Sequence, residues 1–176
     1  SAEGWRTDLA AMREVAIERG AKIVFLCSPG NPTGEAIRID AIRETAQALA
    51  GRAVVVVDEA YIEYADMPSA TGLIDECPNV AVLRTLSKLH ALAGARIGCL
   101  IADAGLIEVL RRCQAPYPVP QPCADLALRA LEPAALAETV AHAATIRVER
   151  ERVFDSLRRL TGVLRVYPSA ANFLLA

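Results

Sequence analysis

Ala53-Val54-Val55-Val56-Val57-Asp58-Glu59-Ala60-Tyr61 decides the fold of this chain. Consecutive valines lack the apolar–polar alternation of a strand with one wet face. They read as a strand covered on both sides, the habit of parallel sheets. Upstream, Ile23 to Cys27 is a second short apolar run, closed by the turn Ser28-Pro29-Gly30-Asn31-Pro32-Thr33-Gly34. Downstream, Val80 to Leu83 and Ile97 to Ala102 are two further strands. Helical spacing fills the gaps. Thr7 to Arg19 reads as a helix with Thr7 as N-cap and Gly20 just past its end. Ile39 to Ala50 puts Ile42, Ala46 and Leu49 on one face and stops at Gly51. Strands alternating with helices predict an α/β fold with a doubly wound, mostly parallel sheet.

Beyond Asp103 the pattern changes. Leu106 to Cys113 and Ala124 to Leu131 are short helices separated by the proline-rich stretch from Ala115 to Pro122, which cannot be regular. Pro133 opens another helix, and Ile146, Val153, Leu157 and Leu160 hold one apolar face up to Gly162. Val163 to Tyr167 and Phe173 to Leu175 are expected as strands of another layer. The division is placed at residues 1–133 for one domain and 134–176 for a long helix and the start of a second.

The chain has 176 residues, 53% of them hydrophobic and 23% charged, enough for a substantial globular core. Its formal net charge of -2 provides no field for nucleic acid or an anionic membrane, and neither partner is expected. No apolar run is long enough to span a bilayer, and no secretory leader is visible. Cys27, Cys77, Cys99, Cys113 and Cys123 are widely spaced and odd in number, so free thiols in a reducing cytoplasm are the expectation. With two histidines, His90 and His142, a metal site or a Ser-His-Asp triad has little to work with.

In open α/β sheets ligands bind beyond the carboxyl ends of the strands. Asn31, Asp58 and Thr85 each follow such an end, so their segments are expected to share one pocket. The third segment, Arg84-Thr85-Leu86-Ser87-Lys88, continues to Arg96. A lysine flanked by hydroxyls, with an arginine eight residues on, suits a phosphorylated aldehyde. The amine condenses with the carbonyl while hydroxyls and guanidinium hold the phosphate. Each residue also has a plain reading: Lys88 as a solvated lysine, Asp58 as a helix N-cap, Tyr61 as a half-buried aromatic, Asn31 as a turn residue, Arg96 as a surface arginine. Glu59 and Glu63 are assigned to a solvated or structural face, and His90 to packing or hydrogen bonding.

Taken together, Asn31, Asp58-Glu59-Ala60-Tyr61, Thr85-Leu86-Ser87-Lys88 and Arg96 resemble the fold type I aminotransferases of class I/II, which use pyridoxal 5'-phosphate. Ala115-Pro116-Tyr117-Pro118 and Ala171-Asn172-Phe173-Leu174-Leu175-Ala176 bring the resemblance closest to the histidinol-phosphate aminotransferase subgroup. Leu89-His90 departs from it, since relatives often carry Ala or Ser and then Phe. The resemblance implies Lys88 as covalent anchor and proton shuttle, Asp58 against the pyridinium nitrogen, and Tyr61 and Asn31 on the ring oxygen O3′. Thr85, Ser87 and Arg96 would hold the phosphate. It implies amino transfer between L-histidinol phosphate and 2-oxoglutarate in histidine biosynthesis, by a cytoplasmic homodimer. Threonine-phosphate decarboxylase, aromatic aminotransferase, or a folded but inactive fragment are the alternatives. Relatives are about twice this long, so the chain is expected to be the second half of the large domain plus the beginning of the small one. A cis bond at Asn31-Pro32 is implied as well.

Overall fold

The computed structural model describes residues 4–176. Its centre is a sheet of β1 (Ile23–Cys27), β2 (Val54–Asp58), β3 (Val80–Thr85) and β4 (Gly98–Ala102), adjacent in that order. β1, β2 and β3 run parallel, and β4 is antiparallel to β3. The mixed, mainly parallel α/β sheet is the fold class expected from the valine run.

Register decides what reaches the ligand edge. Cys27 lies opposite Asp58, Asp58 opposite Leu83, and Thr85 opposite Gly98. Alternation along each strand therefore puts Cys27, Asp58, Leu83 and Thr85 on one face. Val24, Leu26, Val55, Val57, Val80 and Val82 point the other way. There they form the core with Ala16, Ile42, Ala46, Leu49 and Leu73. Burying each Leu or Ile of that core stabilises the fold by roughly 1.5–3 kcal/mol.

The core is covered by α1 (Leu9–Glu18) and α2 (Ile39–Ala48). Asp8, not Thr7, caps α1, accepting from the Ala11 N–H. Thr7 is occupied elsewhere: its N–H and hydroxyl both donate to the Glu35 carboxylate. Gly20 and Gly51, just past the helix ends, take the left-handed backbone (φ +62° and +68°) that favours glycine.

Three helices follow the sheet: α3 (Ala104–Cys113), capped by Asp103, α4 (Gln121–Ala130) and α5 (Pro133–Leu157). α5 runs unbroken from Pro133 and ends five residues before Gly162. The two strands expected after it reduce to a single antiparallel bridge, Tyr167 to Leu175. Among the described residues no third strand pairs with them, and an isolated two-stranded ladder has little to extend it. No helix among the described residues is long and apolar enough to cross a membrane.

Candidate active site

Three loops leave the carboxyl ends of β1, β2 and β3 and meet. The first is tied to β2 by its own start, the Ser28 N–H donating to the Asp58 carbonyl at 2.9 Å. Ser28 Oγ accepts from the Ile37 N–H at 2.9 Å, and the Gly34 N–H donates to the Gly30 carbonyl at 2.7 Å. The Asn31-Pro32 bond is cis as expected, and the Ser28-Pro29 bond is cis too. This loop presents Asn31, whose Nδ2 donates to the Tyr61 phenol oxygen at 3.1 Å.

The second loop begins at Asp58, where Oδ1 accepts from the Ala60 N–H at 3.0 Å. Glu59 folds back and is buried, only 2% exposed. Its carboxylate accepts from the Ala70 N–H and the Ser69 hydroxyl, both at 2.6 Å, and faces Arg84 Nη1 at 3.4 Å. Arg84 Nη2 reaches Glu63 at 2.7 Å. Both glutamates are therefore structural rather than solvated.

In the third loop, Thr85 Oγ1 accepts from the Ser87 N–H at 3.0 Å and lies 3.3 Å from the Ile97 carbonyl it donates to. The Leu86 N–H reaches that same carbonyl. Ala91 and Arg96 sit in the left-handed region, with φ +56° and +55°. A non-glycine residue is uncommon there, and such strain concentrates at functional sites. At Arg96 it turns the chain from the tight turn Ala93–Ala95 into β4.

Asp58, Thr85, Ser87, Lys88 and Arg96 line one open cleft of about 560 Å³, with Leu83, Gly98 and Leu100. Asn31 and Tyr61 stand beside it as a hydrogen-bonded pair. Lys88 joins the two groups, its Nζ lying 5.0 Å from the Tyr61 ring centroid. Burial raises the proton affinity of the Tyr61 phenol. Hydrogen bonds from Asn31 and Lys88 and the ammonium charge outweigh it, leaving the phenol below its ordinary range. Burial pushes the Cys27 thiol up, and the neighbouring Asp58 carboxylate adds to the rise.

Arg84 and Phe173 escaped the sequence reading. Arg84 had a usable signal, two glutamates four residues apart (Glu59 and Glu63) facing the strand next door. Phe173 had none: its ring meets Tyr61 edge-on, centroids 5.2 Å apart at 89°. His90 is partly buried, and its Nδ1 has no hydrogen-bond partner among the described residues.

Chemically the cleft offers a primary amine, two hydroxyls and a guanidinium, a carboxylate at a strand end, and a phenol–amide pair alongside. That donor set fits a phosphorylated aromatic aldehyde with a basic ring nitrogen.

Known proteins resemble this chain in sequence and fold. The chain is 60% identical to histidinol-phosphate aminotransferase of Stenotrophomonas maltophilia (strain R551-3) over 98% of its own length and 48% of that protein. It is 58% identical to histidinol-phosphate aminotransferase of Xanthomonas euvesicatoria pv. vesicatoria (strain 85-10), with the same coverage of each, 98% and 48%. The chain thus spans about half the length of these relatives. A crystal structure of histidinol-phosphate aminotransferase from Sinorhizobium meliloti in complex with pyridoxal-5'-phosphate superposes with a TM-score of 0.84 at 29% identity. That match covers 96% of this chain and 45% of the other. The aminotransferase class I and II pattern matches residues 1–176, and the chain belongs to the aminotransferase class I and II family.

Proposed function

We propose that this chain is the cofactor-anchoring part of a pyridoxal 5'-phosphate-dependent aminotransferase acting on L-histidinol phosphate and 2-oxoglutarate. The observation that carries the reading is the convergence of Asp58, Thr85, Ser87, Lys88 and Arg96 on one cleft at the carboxyl edge of the sheet. The choice of substrate rests on the 60% identical relative and its name.

When bound, pyridoxal phosphate supplies an aldehyde and an electron-accepting ring. The chain's own residues supply the rest. The Lys88 amine anchors the aldehyde, then moves a proton between the substrate α-carbon and the cofactor C4′ atom. The Asp58 carboxylate would hold a proton on the ring nitrogen. Tyr61 and Asn31 donate to the ring oxygen, O3′. The Thr85 and Ser87 hydroxyls and the Arg96 guanidinium hold the phosphate, the guanidinium by paired N–H groups.

Residues 1–133 would then be the second half of a large cofactor domain, and 134–176 the linking helix and the start of a small domain. The complete protein is read as a cytoplasmic homodimer. Free cysteines suit a reducing compartment, and exposed Leu126, Leu128, Leu131 and Val140 offer apolar surface to a second subunit. The test is turnover of histidinol phosphate with 2-oxoglutarate by the complete polypeptide across a pyridoxal phosphate titration. Saturable, cofactor-dependent formation of glutamate is expected. Turnover indifferent to the cofactor, or absent with this donor and present with another, contradicts the proposal.

A further inference from the structure

We propose that Ser169–Phe173 is the positioning element of the site, fixing the Asn31 loop at one end and the Tyr61 ring at the other. Its consequence for catalysis rests on the pyridoxal phosphate reading; the packing itself does not.

At the first end the loop and the segment touch backbone to backbone. The Ala170 N–H donates to the Gly34 carbonyl at 2.8 Å. Gly34 has φ +70°, and a Cβ there would fall 2.2 Å from Ser169 Oγ and 2.8 Å from Ser169 Cα. Only glycine permits so close an approach in that conformation. The Asn31 loop is locked to the segment three residues from the amide that reaches Tyr61. At the second end, Phe173 sets its ring edge against Tyr61. Tyr61, Tyr64 and fully buried Ala171 form one cluster, against which Leu89, Ile146 and Phe173 pack. Leu89 is the residue after Lys88, so the third loop rests on the same cluster.

The middle of the segment is held from α5. Ser169 Oγ accepts from the Ala171 N–H at 3.0 Å. Arg150 Nη1 donates to the Ala171 carbonyl at 3.0 Å and to the Tyr64 carbonyl at 3.3 Å. One guanidinium thus ties the segment to the turn that carries Tyr61. Arg147 adds a bond to the Glu63 carbonyl at 3.2 Å. Gly34 and Phe173 lie outside the cleft lining, so they act through Asn31 and Tyr61 as positioning residues.

The reporter is the Tyr61 phenol, which faces Asn31, Lys88 and Asp58. Its ionisation is followed in the cofactor-free chain by ultraviolet difference absorbance, with Tyr61→Phe identifying the transition. Gly34→Ala must displace the loop and carry Asn31 away from the phenol. Phe173→Leu must free the ring from its donors. Both are expected to move the Tyr61 midpoint upward toward that of an ordinary phenol, as Asn31→Ala should by removing the donor itself, with the far-ultraviolet circular dichroism spectrum retained. A purely structural role would lower the melting temperature and leave the midpoint in place. An unmoved midpoint in a folded Phe173→Leu chain overturns the proposal, and that variant alone decides it if Gly34→Ala does not fold. Shifts as expected, with a complete polypeptide that binds no pyridoxal phosphate, would sink the cofactor reading and leave the positioning intact. Tight cofactor binding with unmoved midpoints would do the reverse.

Discussion

Lys88 and Arg96 border the same cleft but are asked for different things, so their losses should look different. In Lys88→Ala the phosphate clamp remains, and pyridoxal phosphate should still bind without forming a borohydride-reducible adduct. Turnover by the complete polypeptide should fall by at least about 10²–10⁴-fold, the usual worth of a positioned proton carrier. In Arg96→Ala the amine remains, and the defect should appear in cofactor affinity. A lost charge-assisted contact is worth roughly 1.5–3 kcal/mol, so a tenfold or greater excess of pyridoxal phosphate should restore much of the rate. A cofactor titration of each variant separates the two patterns. Lys88 was legible because it sits in a hydroxyl-lysine run just beyond the end of β3, and Arg96 because it follows that run by eight residues. Phe173 was not, because its contact with Tyr61 spans more than a hundred residues and nothing local announces it.

Arg84 lines the cleft and also joins two elements of the fold. It stands at the end of β3 and reaches two glutamates in the loop after β2, one of them almost fully buried. Arg84→Met would leave the Glu59 carboxylate with its hydroxyl and amide donors but no cation. Urea unfolding should report a loss of about 1–3 kcal/mol. A value near zero would mean that the Ser69 and Ala70 donors suffice. At this scale the sequence was read best where periodicity was long or a breaker sat close by, as at Gly20, Gly51 and Pro133. It was read less well where two capping residues stood side by side. Thr7 and Asp8 are equivalent caps on paper, and only the distant Glu35 carboxylate decides between them. The residues after α5 failed for a related reason. Alternation predicts that a segment could be a strand, whereas pairing depends on what lies beside it.

For the molecule as a whole, two buried acids, Cys77 and Tyr64, are held above their ordinary ranges, and this makes alkaline pH a test of the fold. Burial raises the Cys77 thiol, and the Glu76 charge adds to it; burial likewise raises the Tyr64 phenol, followed by the charges of Glu63 and Tyr61. Groups raised in the folded state hold protons that the unfolded chain has already released. Their contribution is fully present below the unfolded pKa, about 8.5 for a thiol, and is lost as pH rises toward the folded value. Stability measured by urea unfolding should therefore decline from about pH 8.5 upward, and Cys77→Ala should flatten the first part of that decline. An identical slope in the variant would exclude Cys77 as a source. The central claim is that the assembled cleft, not any lone side chain, captures pyridoxal phosphate. The chain contains just two lysines, Lys22 and Lys88. The direct measurement is borohydride reduction of the 176-residue chain with pyridoxal phosphate, followed by peptide mass mapping. Both lysines are exposed, so the cleft and not accessibility predicts a pyridoxyl mass on Lys88 in large excess over Lys22, and loss of that preference on unfolding in urea. Equal labelling of the two lysines in the folded chain, or labelling of Lys22 alone, would contradict it.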